Sequence, residues 1–462
     1  MASMSQSIGF YGAAETVTGS RHLLTIGNQK VLVDCGLFQG SHELKLRNTA
    51  PFSFVPRELD AVVITHAHID HIGLLPRLVA EGYQGPIYAT PATIELSRIS
   101  LPDSGRLQEE DAHYANRHRH FPQPVVPLYT ERDAYEALKH FKAVHYGQPH
   151  ELPGGASFTF SPAGHILGSA FAYITFHDGT RLLMSGDLGR YDTPLIKDPT
   201  VVESADYLVI ESTYGDRFHS HEDPLGKIES VLHDVMKSGG ALVIPSFAIG
   251  RTQELLYYFR QLQNQGRMQR IPIYIDSPMA VSVTHVYAQA HEDLDEEMLA
   301  SVKAGNSELE PSGITFVRDK ELSKALNSQH GPLVIISGSG MANGGRVVHH
   351  LMHRMPDPST IVLFTGYQAE GTLGRRLLEG ATMVHIMGQE VEVRCRIEKV
   401  NALSAHADQG EMMKWLSNFK AEPKMTFIVH GEPPAQEALQ ARIEKDLGWK
   451  TIIPKQAETH AL

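Results

Sequence analysis

Cysteine is almost missing from this chain. Of 462 residues only Cys35 and Cys395 carry a thiol, so no disulfide framework is expected, and a reducing, cytoplasmic compartment is the expected setting. Both lie in apolar runs and read as small buried hydrophobes rather than metal or redox groups. Long hydrophobic stretches are missing too. None approaches the roughly 20 residues that span a bilayer, which argues against a membrane-embedded chain. The opening "MASMSQSIGFYG" has no basic stretch followed by an apolar one, so no secretory signal is expected. Positive charge is in deficit: 41 Lys and Arg face 53 Asp and Glu, a formal net charge of −12. That argues against indiscriminate attachment to phosphate backbones, which depends on clustered cations, but leaves room for a local basic groove.

What is present is a globular composition, 42% hydrophobic and 20% charged. At roughly 150 residues per domain the length suggests two or three units. Up to about residue 211 the chain reads as short apolar strands that each end at a polar residue: Asp34, His66, His165, Asp187 and Glu211. "AFAYITFHDGTRLLMSGD" reads as a hairpin turning at Asp178-Gly179. From about Thr213 strand, turn and helix alternate, as in "GALVIPSFAIGRTQELLYYF" and "GPLVIISGSGMANGGRVVHHL"; this pattern predicts a parallel sheet covered by helices. "HEDLDEEMLASVKAGNSELEPSG" reads as a solvated helix and loop. Strands return after Gly388. The predicted organisation is a domain over 1–211, an α/β insertion over 212–388, and a segment over 389–462 that completes the first domain.

The chain has 26 histidines, and three of them crowd into "ITHAHIDHIGLLP" with an aspartate. Residues i and i+2 point to opposite sides of a helix, so His66 and His68 converge only from a strand end or loop. "HIGLLPRLVAEG" then reads as a helix with Asp70 and His71 in its first turn. Four such donors suggest two metal ions, His66 and His68 on one, Asp70 and His71 on the other. Imidazole and carboxylate suit catalytic Zn²⁺, and the missing cysteines argue against a closed structural site. Mn²⁺ and Fe²⁺ are alternatives. Two ions need more donors, also at strand ends: His165 for the first, His430 for the second, and Asp187 as a carboxylate shared by both.

This ligand order, HxHxDH with a later His and a later Asp, resembles the metallo-β-lactamase superfamily. "ESTYG" through Glu211, "SAHAD" through His406 and "VHGE" through His430 resemble the three further motifs of its β-CASP branch of RNA-processing nucleases. The resemblance covers nearly the whole chain. It implies an α/β fold, a metallo-β-lactamase αββα sandwich carrying an inserted β-CASP domain with a parallel sheet, and an active site in the cleft between them. A histidine in the third motif is similar to RNA-processing rather than DNA-processing members.

The implied chemistry is hydrolysis of RNA phosphodiesters by a hydroxide held between two zinc ions, oriented by Asp70 as well as ligated by it. His406 is the expected general acid for the leaving 3′-oxygen, and Glu211 its partner, raising its pKa. Cleavage is expected to be endonucleolytic, leaving 3′-hydroxyl and 5′-phosphate ends, in RNA processing or decay. Asp34 either orients a ligand histidine from behind or is an ordinary turn aspartate. The Gly-rich turns before helices offer Ser246, Arg251, Ser337, Ser339, Gly340 and Arg346 as phosphate contacts, or are simply connecting turns. "DAHYANRHRHF", with His113, Arg117, His118, Arg119 and His120, reads as a solvated polar loop, or else a basic lip for RNA. Single-stranded RNA is the expected partner, without a membrane, and a homodimer is one candidate assembly. Rival readings are a small-molecule ester or thioester hydrolase of the same superfamily and a non-catalytic RNA-binding subunit.

Overall fold

Neighbouring strands pair first. The computed structural model describes residues 5–117, 124–220, 222–305, 308–368, 371–400 and 402–462. In it Gln6–Phe10, His22–Ile26 and Gln29–Val33 form an antiparallel meander. Ala61–Val63, Ile87–Ala89 and Phe141–Ala143 extend it in parallel, and Glu458–Ala461 closes its other edge. A second sheet runs in the order Thr451–Ile452, Met425–Val429, Tyr207–Glu211, Arg181–Met184, Ala170–Thr175, Ala156–Pro162, His150–Leu152. The hairpin turns where the sequence predicts: Ala170–Thr175 pairs antiparallel with Arg181–Met184, and Gly179 adopts φ +86° between them, a conformation glycine takes without steric cost.

Period-two alternation decides which faces meet. Val31, Val33 and Val63 of the first sheet share one core with Phe158, Phe160, Ala172 and Ile174 of the second. Each of these valine, phenylalanine and isoleucine side chains contributes about 1.5–3 kcal/mol when fully buried. On the second sheet's opposite face Phe171, Leu183, Leu208 and Ile428 pack against Met412 and Trp415 of helix Gln409–Leu416 and Leu439 of helix Pro433–Leu447. Leu32 and Val62, on the first sheet's outer face, are equally buried. Helices Leu75–Ala80, Pro91–Arg117 and Glu131–Leu138 occur between its strands in the chain. These layers are the αββα sandwich.

The remaining chain is a second compact unit, His219–Ala405 with Pro194–Ile196. Its sheet has the order Ile314–Phe316, Ile273–Asp276, Leu333–Ser337, Ala241–Pro245, Ile361–Phe364, Arg396–Lys399, and every pairing in it is parallel. The sequence assigns 212–388 to this unit and 389–462 to the sandwich; the structure divides the chain differently. Arg396–Lys399 pairs with Ile361–Phe364, and Gln389–Glu392 with Met383–Ile386, so 389–405 folds with the insertion. At the other end 212–218 stays with the sandwich, where Ser212 Oγ donates to the Val429 carbonyl.

Two local readings also differ. The single helix expected after His68 is two pieces, Ile69–Ile72 and Leu75–Ala80, because Pro76 supplies no N–H to carry a ladder through the break. Residues 111–117, read as loop, continue helix Pro91–Arg117. His118, Arg119 and His120 lie outside the described residues. Among the described residues no helix is long and apolar enough to cross a membrane. Both cysteines are free and buried.

Candidate metal centre

The αββα unit gathers its polar strand ends at one place. His66 follows Ala61–Val63, and His68 caps helix Ile69–Ile72, which carries Asp70 and His71. That helix lies close against the turn after Gln29–Val33 and the segment before His22–Ile26: the Cys35 N–H donates to the His71 carbonyl (2.7 Å) and the Ser20 N–H to that of Asp70 (2.8 Å). A Cβ on Gly36 would lie 1.6 Å from the Asp70 carbonyl oxygen, so only glycine permits this approach. His165 and Asp187 follow Ala156–Pro162 and Arg181–Met184, and His430 follows Met425–Val429. His430 has φ +52°, a strained value for a residue with a side chain, and its N–H donates to Ala13 O at 2.7 Å.

Two donor groups result. In the first, His68 Nδ1 stands 3.2 Å from His66 Nε2 and 3.1 Å from His165 Nε2. Asp187 Oδ2 is 3.4 Å from both of those Nε2 atoms. In the second, His71 Nε2 is 3.2 Å from His430 Nε2 and 3.3 Å from Asp187 Oδ1, and Asp70 Oδ2 is 3.4 Å from His430 Nε2. Ligands about 2.0–2.1 Å from a tetrahedral zinc ion stand roughly 3.3–3.4 Å from one another, so these spacings fit. Asp187 turns one oxygen to each group, and its buried Oδ1 has no hydrogen-bond partner. A buried carboxylate oxygen left so is costly unless a cation satisfies it.

The electrostatics follow from burial and neighbours. Burial lowers the pKa of His66 and His165, and that of His68 to about 3; neutral imidazole is the ligating form. Burial also disfavours charge on Asp70 and Asp187, yet the histidines around them hold both below the ordinary carboxylate value. For His71 and His430 burial is outweighed by Asp187, aided by Asp34 and Asp70 respectively, and both are raised.

Behind the donors stand groups that fix the rings. Asp34 Oδ2 meets His71 Nδ1 at 2.8 Å and accepts from Thr65 Oγ1 at 2.8 Å. Thr65 Oγ1 also reaches His66 Nδ1 (3.1 Å), and Thr213 Oγ1 reaches His430 Nδ1 (3.1 Å). Sequence reasoning missed both threonines, since a hydroxyl beside a strand end carries no distinguishing signal.

His406 lies beside the first group, its ring centroid 4.4 Å from that of His165. Glu211 Oε1 and Oε2 stand 3.0 and 3.2 Å from His406 Nδ1. Glu211 is itself fully buried and fixed by the Leu188 N–H (2.7 Å) and Thr213 N–H (3.1 Å). Burial alone would lower the His406 pKa; the Glu211 carboxylate outweighs it and raises the value to about 9. Backbone contacts hold the histidine there, the Ala407 N–H donating to Leu188 O (2.8 Å), while Asp408 caps the following helix in a reciprocal pair with Glu411.

The six candidate phosphate contacts belong to the second unit. Arg346 donates to Asp276 (2.7 Å) and to the Arg318 carbonyl (2.8 Å), and Arg251 pairs with Glu254. Ser246 Oγ meets Thr252 Oγ1, Ser337 Oγ donates to the Asp276 carbonyl, and Ser339 Oγ to that of Gly344. Gly340 adjoins the Phe247 ring, which a Cβ would meet at 2.6 Å. The side chains of these turns are engaged in holding their own loops.

Residues 23–185 match the metallo-β-lactamase superfamily domain, 252–377 the Beta-Casp domain, and 390–454 the Zn-dependent metallo-hydrolase RNA specificity domain. Ribonuclease TTHA0252 of Thermus thermophilus is 41% identical over 91% of this chain and 92% of its own length. Transcription termination factor FttA of Methanocaldococcus jannaschii is 30% identical over 92% of this chain and 67% of its own. A crystal structure of an Enterococcus faecalis protein of unknown function superposes with TM-score 0.56 at 12% identity, covering 99% of this chain and 100% of that one, a likeness of fold alone. The chain belongs to the β-CASP family of RNA nucleases within the metallo-β-lactamase superfamily.

Proposed function

We propose that this chain is a two-zinc ribonuclease that cuts single-stranded RNA internally and leaves 3′-hydroxyl and 5′-phosphate ends. Its setting is RNA processing or decay in a reducing, cytoplasmic compartment. The observation that carries the reading is Asp187, which offers one carboxylate oxygen to each of two donor groups beside the His406–Glu211 pair. His66, His68, His165 and Asp187 would hold one ion; Asp70, His71, His430 and Asp187 the other. When bound, such a pair supplies a water activated near neutral pH and positive charge opposite the reacting phosphodiester.

The protein's own groups do the rest. Asp70 accepts a hydrogen bond from the attacking water and orients it. Asp34, Thr65 and Thr213 keep the ligand imidazoles in one tautomer and orientation. His406 carries a proton on Nε2 and gives it to the leaving 3′-oxygen, while Glu211 on Nδ1 stabilises the imidazolium. The Glu211–His406 pair separates this reading from a thioester hydrolase, whose thiolate leaves without needing a proton.

The test is incubation of the metal-loaded protein with an internally labelled single-stranded RNA, followed by analysis of the ends. Internal cuts with 5′-phosphate products, abolished by a chelator and restored by zinc, are expected. Intact RNA alongside efficient thioester hydrolysis would overturn the proposal.

A further inference from the structure

Arg21 is 7% exposed, and no carboxylate faces it among the described residues. Its guanidinium lies 4.9 Å from the centre of the Phe38 ring and 5.7 Å from that of Phe52. Its Nε is buried without a hydrogen-bond partner. Burial lowers its pKa, and a second cation, Arg77, lowers it further. Stacking on aromatic faces offsets part of the cost of burying such a charge, but it supplies no counter-ion. Two more guanidiniums converge on the same rings, Arg47 over Phe38 at 5.5 Å and Arg77 over Phe52 at 5.0 Å. Of the three, Arg77 is neutralised by Glu81 at 2.6 Å. Arg47 is exposed and forms no ion pair among the described residues.

This excess of positive charge stands out in a chain of net charge −12, and it adjoins the metal centre. Ser20, next to Arg21, donates to the Asp70 carbonyl, and Leu37, next to Phe38, donates to that of Ile69. Asn48 fixes Phe38 by accepting from its N–H (2.8 Å) and donating to its carbonyl (2.7 Å). The aromatic support is thus tied to the helix that bears Asp70 and His71. We propose that Arg21 and Arg47, mounted on Phe38 and Phe52, form a phosphate-binding subsite that takes a backbone phosphate of the RNA flanking the scissile bond. The proposal rests on the ribonuclease reading. Guanidinium forks pair well with phosphate oxygens, and the missing acid partner is the role the phosphate fills.

The test is steady-state cleavage of a labelled single-stranded RNA by the full-length, metal-loaded chain across a salt series, comparing wild type with Arg21→Gln, Arg47→Gln and Arg47→Lys. Each lost phosphate contact should flatten the dependence of log(kcat/KM) on log[salt] by about 0.7 for a single strand. Both glutamine variants should show that flattening and a several-fold rise in KM with kcat little changed, and Arg47→Lys should restore the wild-type slope. Should Arg21→Gln fail to fold, exposed Arg47→Gln carries the test, with thermal stability matching wild type. Wild-type salt slopes in the glutamine variants, whatever their stability, would overturn the subsite while leaving the nuclease intact. Failure of the wild type to cleave RNA would instead remove the reading on which the subsite rests.

Discussion

At the scale of single residues the groups proposed to hold metal are distinct from the group proposed to move a proton. His406 is assigned to the second kind: it meets Glu211 at 3.0 Å and clusters with Glu211 and Asp187, apart from the other six histidines and aspartates of the two donor groups. Replacing it with alanine should lower kcat by roughly 10²–10⁴, the usual contribution of a positioned acid, while bound zinc measured by elemental analysis stays at the wild-type level. Loss of metal in that variant would make His406 a ligand and not the acid. The convergence of the ligand-type residues was legible because three histidines and an aspartate crowd into one strand-to-helix turn, with further ionisable side chains at other strand ends. Thr65 and Thr213 were not, because their hydroxyls gain meaning only from the imidazoles they meet. Arg346 and Ser337 also gain their setting only from the fold: Asp276, its buried carboxylate contacting His350 Nε2 at 2.6 Å as well, engages the arginine from a neighbouring strand.

At the scale of elements the short helix Ile69–Ile72 matters most, since it presents Asp70 and His71 against the turn at Gly36. Gly36→Ala puts a methyl into the Asp70 carbonyl, so the helix must move. Overpacking of this kind costs about 1–3 kcal/mol. Because the displaced atoms belong to the second donor group, zinc titration should show one of the two ions weakened by about 10–100-fold, the other little changed. Equal weakening of both would mean that the two groups are more tightly linked than the geometry implies. Element type was largely readable from the sequence, partnership less so. An alternating run such as "EVEVRCRIEKV" announces strands but not which sheet receives them, and the structure pairs Arg396–Lys399 with Ile361–Phe364 of the insertion. Pro76 gave the one warning that the helix after His68 would be interrupted.

At the scale of the whole molecule, seven side chains separated by up to 364 positions, from His66 to His430, come together in one unit because two sheets stack and bring their strand ends to the same edge. The fold was legible through the family resemblance that these motifs carry, which implies the sandwich. Its arginine-rich flank was not, since Arg21, Arg47 and Arg77 are scattered in a chain of acidic balance and only the folded loops assemble them. All of this rests on the proposal that Asp187 is shared by two metal ions. Anomalous diffraction on either side of the zinc edge, from crystals of the protein grown with zinc, tests it most directly. The account predicts two peaks about 3.5–4 Å apart, one bound by His66, His68 and His165, the other by Asp70, His71 and His430, with Asp187 touching both. A single peak, or two peaks with Asp187 bound to neither or only one, would contradict it.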